Sequence, residues 1–547
     1  MNFGFIIDNR KCIGCHACTV ACKAEHDVAV GVNRTWVKYI EKGEYPHTRR
    51  LFSVMRCNHC DDAPCVEICP VEALYLRKDG IVDFDNRRCI GCKACMQACP
   101  YDALYIDPET HTAAKCNYCT HRVDIGLEPA CVNVCPEHAI ISGDMDNPNS
   151  EISRLLSREQ VTARKVEKGT NPKLFYIEGD EASLKPAITQ PSEDYMWNSQ
   201  ATGVGHFAKY AEALIAKTDP VTMAKQLADQ SNHQDSGKTA AIGNNNLANN
   251  GNSTIAGDRK GNTRRVYDSP GKGVLWGWEV SAYVWTKAIA AGGFLLPFLA
   301  SLFGIAVSET VQWIGWVISL LFLTITGILL IKDLDKPSRF AYVLLRPQWH
   351  SWLTRGGYAI TIYGVFLALW GHAKFWDMPA VLSFVNWGAA IFAIITAVYT
   401  AFLFAQAKGR DFWQSPTLAL HMMIHALMAG AAVFAAVNIT LSIENAWQGF
   451  IQMMLLSSIA ANLIILFAEI VTPHPTIDAK TTIQIIVSGR FKNAFWLGAV
   501  ILGNLLPLAL AWLGGAELLA LAGVLLLFGI YVTEHIWIRA PQLIPLS

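Results

Sequence analysis

The sequence predicts a chain of two unlike parts: an α+β domain of doubled plan over residues 1–180, then an all-α bundle of eight membrane-crossing helices over 271–547. Three observations carry this. All 16 cysteines fall between Cys12 and Cys135, in four groups of four. Apolar residues concentrate after about residue 280, and a polar stretch rich in Asn and Gly separates the two regions. A formal net charge of +0 with 52% hydrophobic residues suits a chain that mixes soluble and membrane parts.

The four groups are Cys12, Cys15, Cys18 and Cys22; Cys57, Cys60, Cys65 and Cys69; Cys89, Cys92, Cys95 and Cys99; and Cys116, Cys119, Cys131 and Cys135. The first and third have the run C-x2-C-x2-C-x3-C that holds cubane iron–sulfur clusters. Pro70, Pro100 and Pro136 directly follow the fourth cysteine of three groups, the C-P ending of such runs. After Pro70, VEALYLRKDGIVDF predicts a short helical turn and then a hairpin around Lys78, Asp79 and Gly80. After Pro100, DALYIDPETHTAAKC repeats that plan, so the domain is a doubled ferredoxin-like unit. Structural zinc also uses C-x2-C pairs, but it does not account for four quartets with C-P endings. A disulfide framework needs an oxidising compartment, and no secretory signal precedes Cys12. Four [4Fe–4S] clusters use all sixteen thiols.

With these motifs, residues 1–180 resemble the four-cluster iron–sulfur subunits of the DMSO-reductase type, which partner molybdenum enzymes. The likeness covers the four cysteine groups and GTNPKLFYI at 169–177. It implies crossed ligation, group one with group four and group two with group three. The quartets would be Cys12, Cys15, Cys18 and Cys135; Cys116, Cys119, Cys131 and Cys22; Cys57, Cys60, Cys65 and Cys99; and Cys89, Cys92, Cys95 and Cys69.

Eight apolar stretches are long enough to span a bilayer: 281–306, 311–331, 356–373, 379–406, 416–438, 447–471, 494–513 and 516–538. Trp276, Trp278, Trp313, Trp349, Trp352, Trp376, Trp413, Trp447 and Trp537 sit near their ends, as an aromatic belt does. Ser415-Pro416 reads as the start of the fifth helix, with proline at its first position. With eight crossings both termini share one side. That side's loops and tail carry Lys332, Lys336, Arg339, Arg346, Arg355, Lys408, Arg410, Lys480, Arg490, Lys492 and Arg539, and the opposite loops carry only Lys374. Basic loops are cytoplasmic, so the expected location is a bacterial inner membrane with the cysteine domain in the cytoplasm.

Polar residues inside the spans gather toward the same side. They are Tyr283 and Lys287 on the first, Tyr399 and Gln406 on the fourth, His421 and His425 on the fifth, Glu469 on the sixth, and Glu534 with His535 on the eighth; Asp333 ends the second. Ionisable residues within a membrane are costly and face a bundle interior or cavity. A quinone is apolar, but its two-electron reduction takes up two protons, so its site needs apolar walls, hydrogen-bond donors and acid–base groups. Lys287, His425, Glu469, Tyr399 and Glu534 are the candidates for that chemistry. The bland alternative is a snorkelling or interfacial side chain at each position. His421 and His425 are four apart on one helix face, so they cannot grip opposite faces of one haem. A bis-His haem would need His535, and b-haem is not expected.

The membrane half resembles the polysulfide-reductase-type (NrfD-like) anchor, through SAYVWTKAIAAGGFLL (281–296), DLDKPSRFAYVLLRPQWHSW (333–352) and YTAFLFAQAKGRDFWQSP (399–416). That resemblance implies a haem-free, quinone-interacting subunit with its site near the iron–sulfur domain. Between them, 181–270 reads as a flexible linker, with AIGNNNLANNGNS (241–253) as a low-complexity tract. Two short helical segments, near 206–217 and after Asp219-Pro220, read as transient helix within a tether rather than as docking elements. No G-x-G-x-x-G after a strand, no P-loop, no molybdopterin domain and no nucleic-acid-binding strip is present. The expected role is an electron-transfer and membrane-anchor subunit, joining a molybdopterin catalytic partner to quinone in the lipid bilayer. The alternatives are a redox-driven proton-translocating module, as in alternative complex III, and a stand-alone ferredoxin:quinone oxidoreductase.

Overall fold

A computed structural model describes residues 1–44, 46–186, 188–189, 263–438 and 445–547. The N-terminal region is built on a four-stranded sheet of order β8–β1–β10–β9. Here β1 (Phe3–Asp8) pairs parallel with β10 (Leu174–Ile177) and antiparallel with β8 (Ile140–Asp144), and β9 (Val161–Ala163) lies at the edge. The 169–177 segment thus ends in a central strand. The hairpins predicted after Pro70 and Pro100 are present: β4 (Leu74–Leu76) with β5 (Val82–Phe84), and β6 (Leu104–Ile106) with β7 (Ala113–Lys115).

Backbone geometry recurs at matching places in the cysteine runs. Gly14 and Gly91, each just before the second cysteine of its run, share φ +72. His16 and Lys93, just after that cysteine, share φ 61. Glu72, Asp102 and His138, two residues past each C-P, all have positive φ. At Gly91 a Cβ would also come within 2.7 Å of Asp335 Cβ, in the loop that reaches up from the bundle. Only glycine meets both demands there.

The expected linker is described only at its ends, and both are ordered. Glu181–Leu184 is a helical turn capped by Asp180. Residues Thr263–Tyr267 form β11, which pairs with β2 (Thr35–Glu44) at the edge of a β11–β2–β3 sheet completed by β3 (His47–Arg56). The domain boundary expected at 270 therefore falls after a strand of the first domain. The low-complexity tract and the two short helical segments of the linker lie outside the described residues.

Among the described residues eight long helices follow: Trp278–Leu302, Glu309–Lys332, Trp352–Phe375, Pro379–Gln406, Leu418–Val437, Asn445–Val471, Ala494–Leu513 and Ala516–Arg539. Seven are long and apolar enough to cross a membrane; the exception is Trp352–Phe375, which carries Arg355, His372 and Lys374. The fifth helix begins at Leu418 rather than at the expected Pro416. Thr417 stays outside it, and its hydroxyl donates to Glu469 on the sixth helix at 2.7 Å. The first and fifth helices meet backbone to backbone, since a Cβ on Gly430 would strike the Gly292 carbonyl.

Loops from one end of the bundle dock on the cysteine domain. Trp276 Nε1 donates to the Cys92 carbonyl at 3.2 Å. Ser351 donates to the Ile68 carbonyl at 2.7 Å and Thr354 to that of Pro70 at 3.0 Å. At the centre, Gln97 Nε2 donates to Gln542 Oε1 at 2.6 Å and Gln97 Oε1 accepts from Arg410 Nε at 2.9 Å. Gln542 Oε1 also accepts from the Leu275 and Trp276 amides, and Arg410 Nη1 donates to the Pro541 and Ile544 carbonyls. Around this network one continuous apolar core joins Cys95 and Met96 to Trp276, Phe404 and Trp413. Replacing Gln97 by Leu strips partners from Arg410 and Gln542 in a dry junction. Each buried group left unsatisfied costs about 1–3 kcal/mol. The expected outcome for Gln97→Leu is a lower thermal transition of the detergent-solubilised protein; an unchanged transition would show that the network does not hold the two parts together.

Candidate functional site

The fold brings cysteines together across the sequence groups. Cys12, Cys15, Cys18 and Cys135 line one cavity. Cys69, Cys89, Cys92 and Cys95 line another. Cys22 lies close enough to Cys116, Cys119 and Cys131 to interact with them electrostatically. Cys65 does so with Cys57, Cys60 and Cys99. In each of the four sets, three cysteines come from one group and the fourth from another. Cys15 is exposed, Cys12, Cys92 and Cys135 are half-buried, and the others are buried.

These sets suit a cluster rather than a single ion. A tetrahedral zinc with Zn–S bonds of about 2.3 Å draws its sulfurs to about 3.8 Å from one another. No three cysteine sulfurs lie within even 4.8 Å of one another; among the described residues only His421, His425 and Glu534 bring three potential ligand atoms that close. The surroundings favour thiolate where local groups act on it. Backbone amides of Ala73, Ala113 and Ala139 donate to Cys69, Cys89 and Cys135 at 3.2, 3.3 and 3.3 Å. Arg56 Nη1 donates to Cys131 Sγ at 3.1 Å, while Arg56 Nε and Nη2 are buried without a protein partner among the described residues. Burial opposes ionisation, pushing the thiols of Cys18 and Cys119 up to about 12. Iron must therefore displace these protons when it binds.

Within the bundle, five helices contribute to two linked buried polar sets. His425 Nδ1 and Glu534 Oε1 are 2.7 Å apart. The His421 and His425 rings are 4.1 Å apart by centroid. His421 Nδ1 lies 3.9 Å from Glu469 Oε2, which accepts from Trp537 Nε1 at 3.2 Å. His421 Nδ1 and Nε2 and His425 Nε2 have no hydrogen-bond partner among the described residues. Lys287 Nζ donates to Thr400 Oγ1 at 2.5 Å and sits 4.7 Å from the centre of the Tyr399 ring. It also senses the charge of Glu534. The five candidates thus form two linked sets, Glu469 with His425 and Glu534, and Lys287 with Tyr399.

Glu469 alone of the five opens onto a cavity of about 540 Å³ where the bundle meets the cysteine domain. Its walls include Phe412, Pro416, Thr417, Pro473, His474 and Thr476, and an ion pair between Lys168 and Asp411 crosses its rim. Sequence reasoning places His421 at this depth without selecting it, although its i, i+4 spacing from His425 is an available signal. Thr417, Thr400 and Trp537 carry no such signal; long-range packing recruits them. His535 stands apart, against Tyr531 and Arg539. Gln406 instead braces the junction, accepting from the Trp352 amide and donating to the His350 carbonyl. The cavity predicts selective chemistry. A hydrophobic carbodiimide should label Glu469 and spare Glu534, as read by peptide mass spectrometry; equal labelling of both would contradict the closed environment of Glu534.

Comparison with known proteins agrees with this two-part geometry. Two matches to 4Fe-4S dicluster domains cover residues 11–74 and 48–145. The description "Polysulphide reductase, NrfD" matches residues 269–544, just over half of the protein. The N-terminal region is 46% identical over 191 residues to the B component of tetrathionate reductase from Salmonella typhimurium, covering 34% of this protein and 76% of that one. It is 40% identical over 188 residues to the B component of polysulfide reductase from Wolinella succinogenes, covering 34% and 97%. It is 41% identical over 180 residues to the protein NrfC of Escherichia coli, covering 32% and 81%. The protein belongs to the polysulphide reductase NrfD family, with 4Fe-4S dicluster domains fused ahead of the membrane domain.

Proposed function

We propose that this protein is the electron-transfer and membrane-anchor subunit of an oxidoreductase complex, joining a molybdopterin catalytic subunit to the membrane quinone pool. One observation carries it. The cysteine sets extend from an exposed end, at Cys15, to an end docked on the bundle, where Trp276 bonds the Cys92 carbonyl. Sixteen thiolates then hold four [4Fe–4S] clusters in the crossed sets described above, within a doubled ferredoxin-like domain. When bound, such clusters supply one-electron redox chemistry. Exposed Ile13 and Val20 beside Cys15 suit the docking of a catalytic partner.

At the other end, the cavity beside Glu469 suits a quinone ring: Phe412 and Pro416 supply apolar walls and Thr417 a hydroxyl. Reduction of a quinone consumes two electrons and two protons. Glu469, His421, His425 and Glu534 form a run of acid–base groups from the cavity inward. Lys287, held by Thr400 and Tyr399, places an amine near Glu534. The close His425–Glu534 contact supports a proton-handling use of this histidine over haem ligation.

Helix ends support eight crossings. The second helix delivers Asp335 and Lys336 to the Gly91 and Ile90 carbonyls, and the fourth delivers Gly409 to that of Gln97. The helix between them that starts at Trp352 must therefore run from the docked face to the far one. Lys374, on the far side, is bound by Glu309 at 2.9 Å, which leaves the excess of basic residues on the docked side. That supports a bacterial inner membrane with a cytoplasmic iron–sulfur domain.

A second reading, proton translocation, is favoured by one feature. Toward the far side a cavity of about 120 Å³ is lined by Ser301, Gln312 and Asn386. The buried hydroxyls of Ser319 and Thr396 have no partner among the described residues. Proton movement across vesicles beyond the two per quinone would decide for it.

The conduit itself is tested with purified, cluster-loaded protein. A quinol should bleach the cluster absorbance. Glu469→Gln and His425→Gln should slow that bleaching at least tenfold, about 1.4 kcal/mol in barrier, while dithionite still reduces the clusters at the original rate. Failure of every quinol to reduce the clusters, or unaltered rates in both variants, would sink the proposal.

A further inference from the structure

Two cations lie fully buried among the cysteine sets, and neither has a carboxylate partner among the described residues. Arg56 donates to Cys131 Sγ at 3.1 Å. It acts electrostatically on Cys18 and Cys116 as well, so it stands between two sets. Its carbon rests over the Phe5 ring at 4.5 Å, and its Nε and Nη2 have no protein partner among the described residues. Lys115 donates to the Val82 carbonyl, and to the Cys116 carbonyl at 2.9 Å. It also acts electrostatically on Cys57, and so stands between the set of Cys116 and Cys131 and a third. Around the fourth set the pattern differs. Lys93, between Cys92 and Cys95, is ion-paired with Asp335 at 3.3 Å and donates to the Asp333 carbonyl at 3.0 Å.

A cation buried without a counter-ion is expensive. Here sulfur is what faces it. We infer that Arg56 and Lys115 are potential-setting residues: they stabilise the negative charge that one-electron reduction adds to groups held by Cys131, Cys116 and Cys57, and so make the set of Cys22, Cys116, Cys119 and Cys131 the most readily reduced of the four. Neither side chain carries an electron or loses its proton; each acts through its field in a dry interior. The orphan nitrogens of Arg56 point the same way, because cluster sulfides would be their acceptors. The inference rests on the four-cluster reading above.

The test is an EPR-monitored redox titration of the complete, cluster-loaded protein, with iron and acid-labile sulfide counted on the same samples. Arg56→Gln should leave the iron count unchanged and lower the reduction equilibrium of the highest-potential signal at least tenfold, which is 59 mV for one electron. Arg56→Lys, which keeps the charge, should recover most of that shift. Lys115→Gln should lower the same signal independently. If every midpoint stays in place in both Gln variants while iron is retained, the inference is overturned. If Arg56→Gln loses iron, Lys115→Gln decides alone; loss of iron in both makes the residues structural and also overturns it. An iron count below sixteen in the unaltered protein would overturn the four-cluster reading instead.

Discussion

The junction at Gln97 constrains everything else in the molecule. Gln97 lies between Cys95 and Cys99, which belong to different cysteine sets, and its amide is bonded on both sides by the membrane half. Three residues of backbone thus tie two electron-carrying sets and the bilayer anchor together. Arg410 and Gln542 complete the network from the fourth-to-fifth loop and the C-terminal turn, so distant parts of the sequence converge on one neutral amide. The one cation of the network, Arg410, is held by neutral oxygens, the Gln97 amide and the Pro541 and Ile544 carbonyls, which replace the water a buried charge gives up.

Below the junction the bundle tolerates ionisable groups by linking them. Glu534 meets His425, Glu469 meets Thr417 and Trp537, and Lys287 meets Thr400 and the Tyr399 ring. The exceptions are His421 and the outer nitrogen of His425, which have no protein partner among the described residues. In an apolar interior such exceptions are costly, and they fall where the site would need groups free to exchange protons or meet a ligand.

Much of this is legible in the order of residues alone, for definite reasons. Cysteine spacing is local, so Gly14, Gly91 and the C-P endings announce their loops directly. Depth within a span is also readable, which is why Lys287, Tyr399, His425, Glu469 and Glu534 stand out together. What stays hidden depends on long-range packing. Gln97 and Gln542 belong to no pattern until they meet. Thr417 looks like part of a helix start until Glu469 claims its hydroxyl. The strand Thr263–Tyr267 is five residues long and follows a polar tract, so nothing local shows that β2 is waiting for it.

That strand changes how the two halves are joined. Thr263–Tyr267, just ahead of the membrane helices, lies on the edge of the β2–β3 sheet of the iron–sulfur domain. Only Asp268–Gly277 then separates the last strand from the first membrane helix, and Asp268 is itself held by Trp36 at 2.8 Å and by Arg265 at 3.2 Å. The first membrane helix is therefore held to the iron–sulfur domain through this short segment and the backbone pairing of β11 with β2, so a strand register sets the reach from domain to anchor.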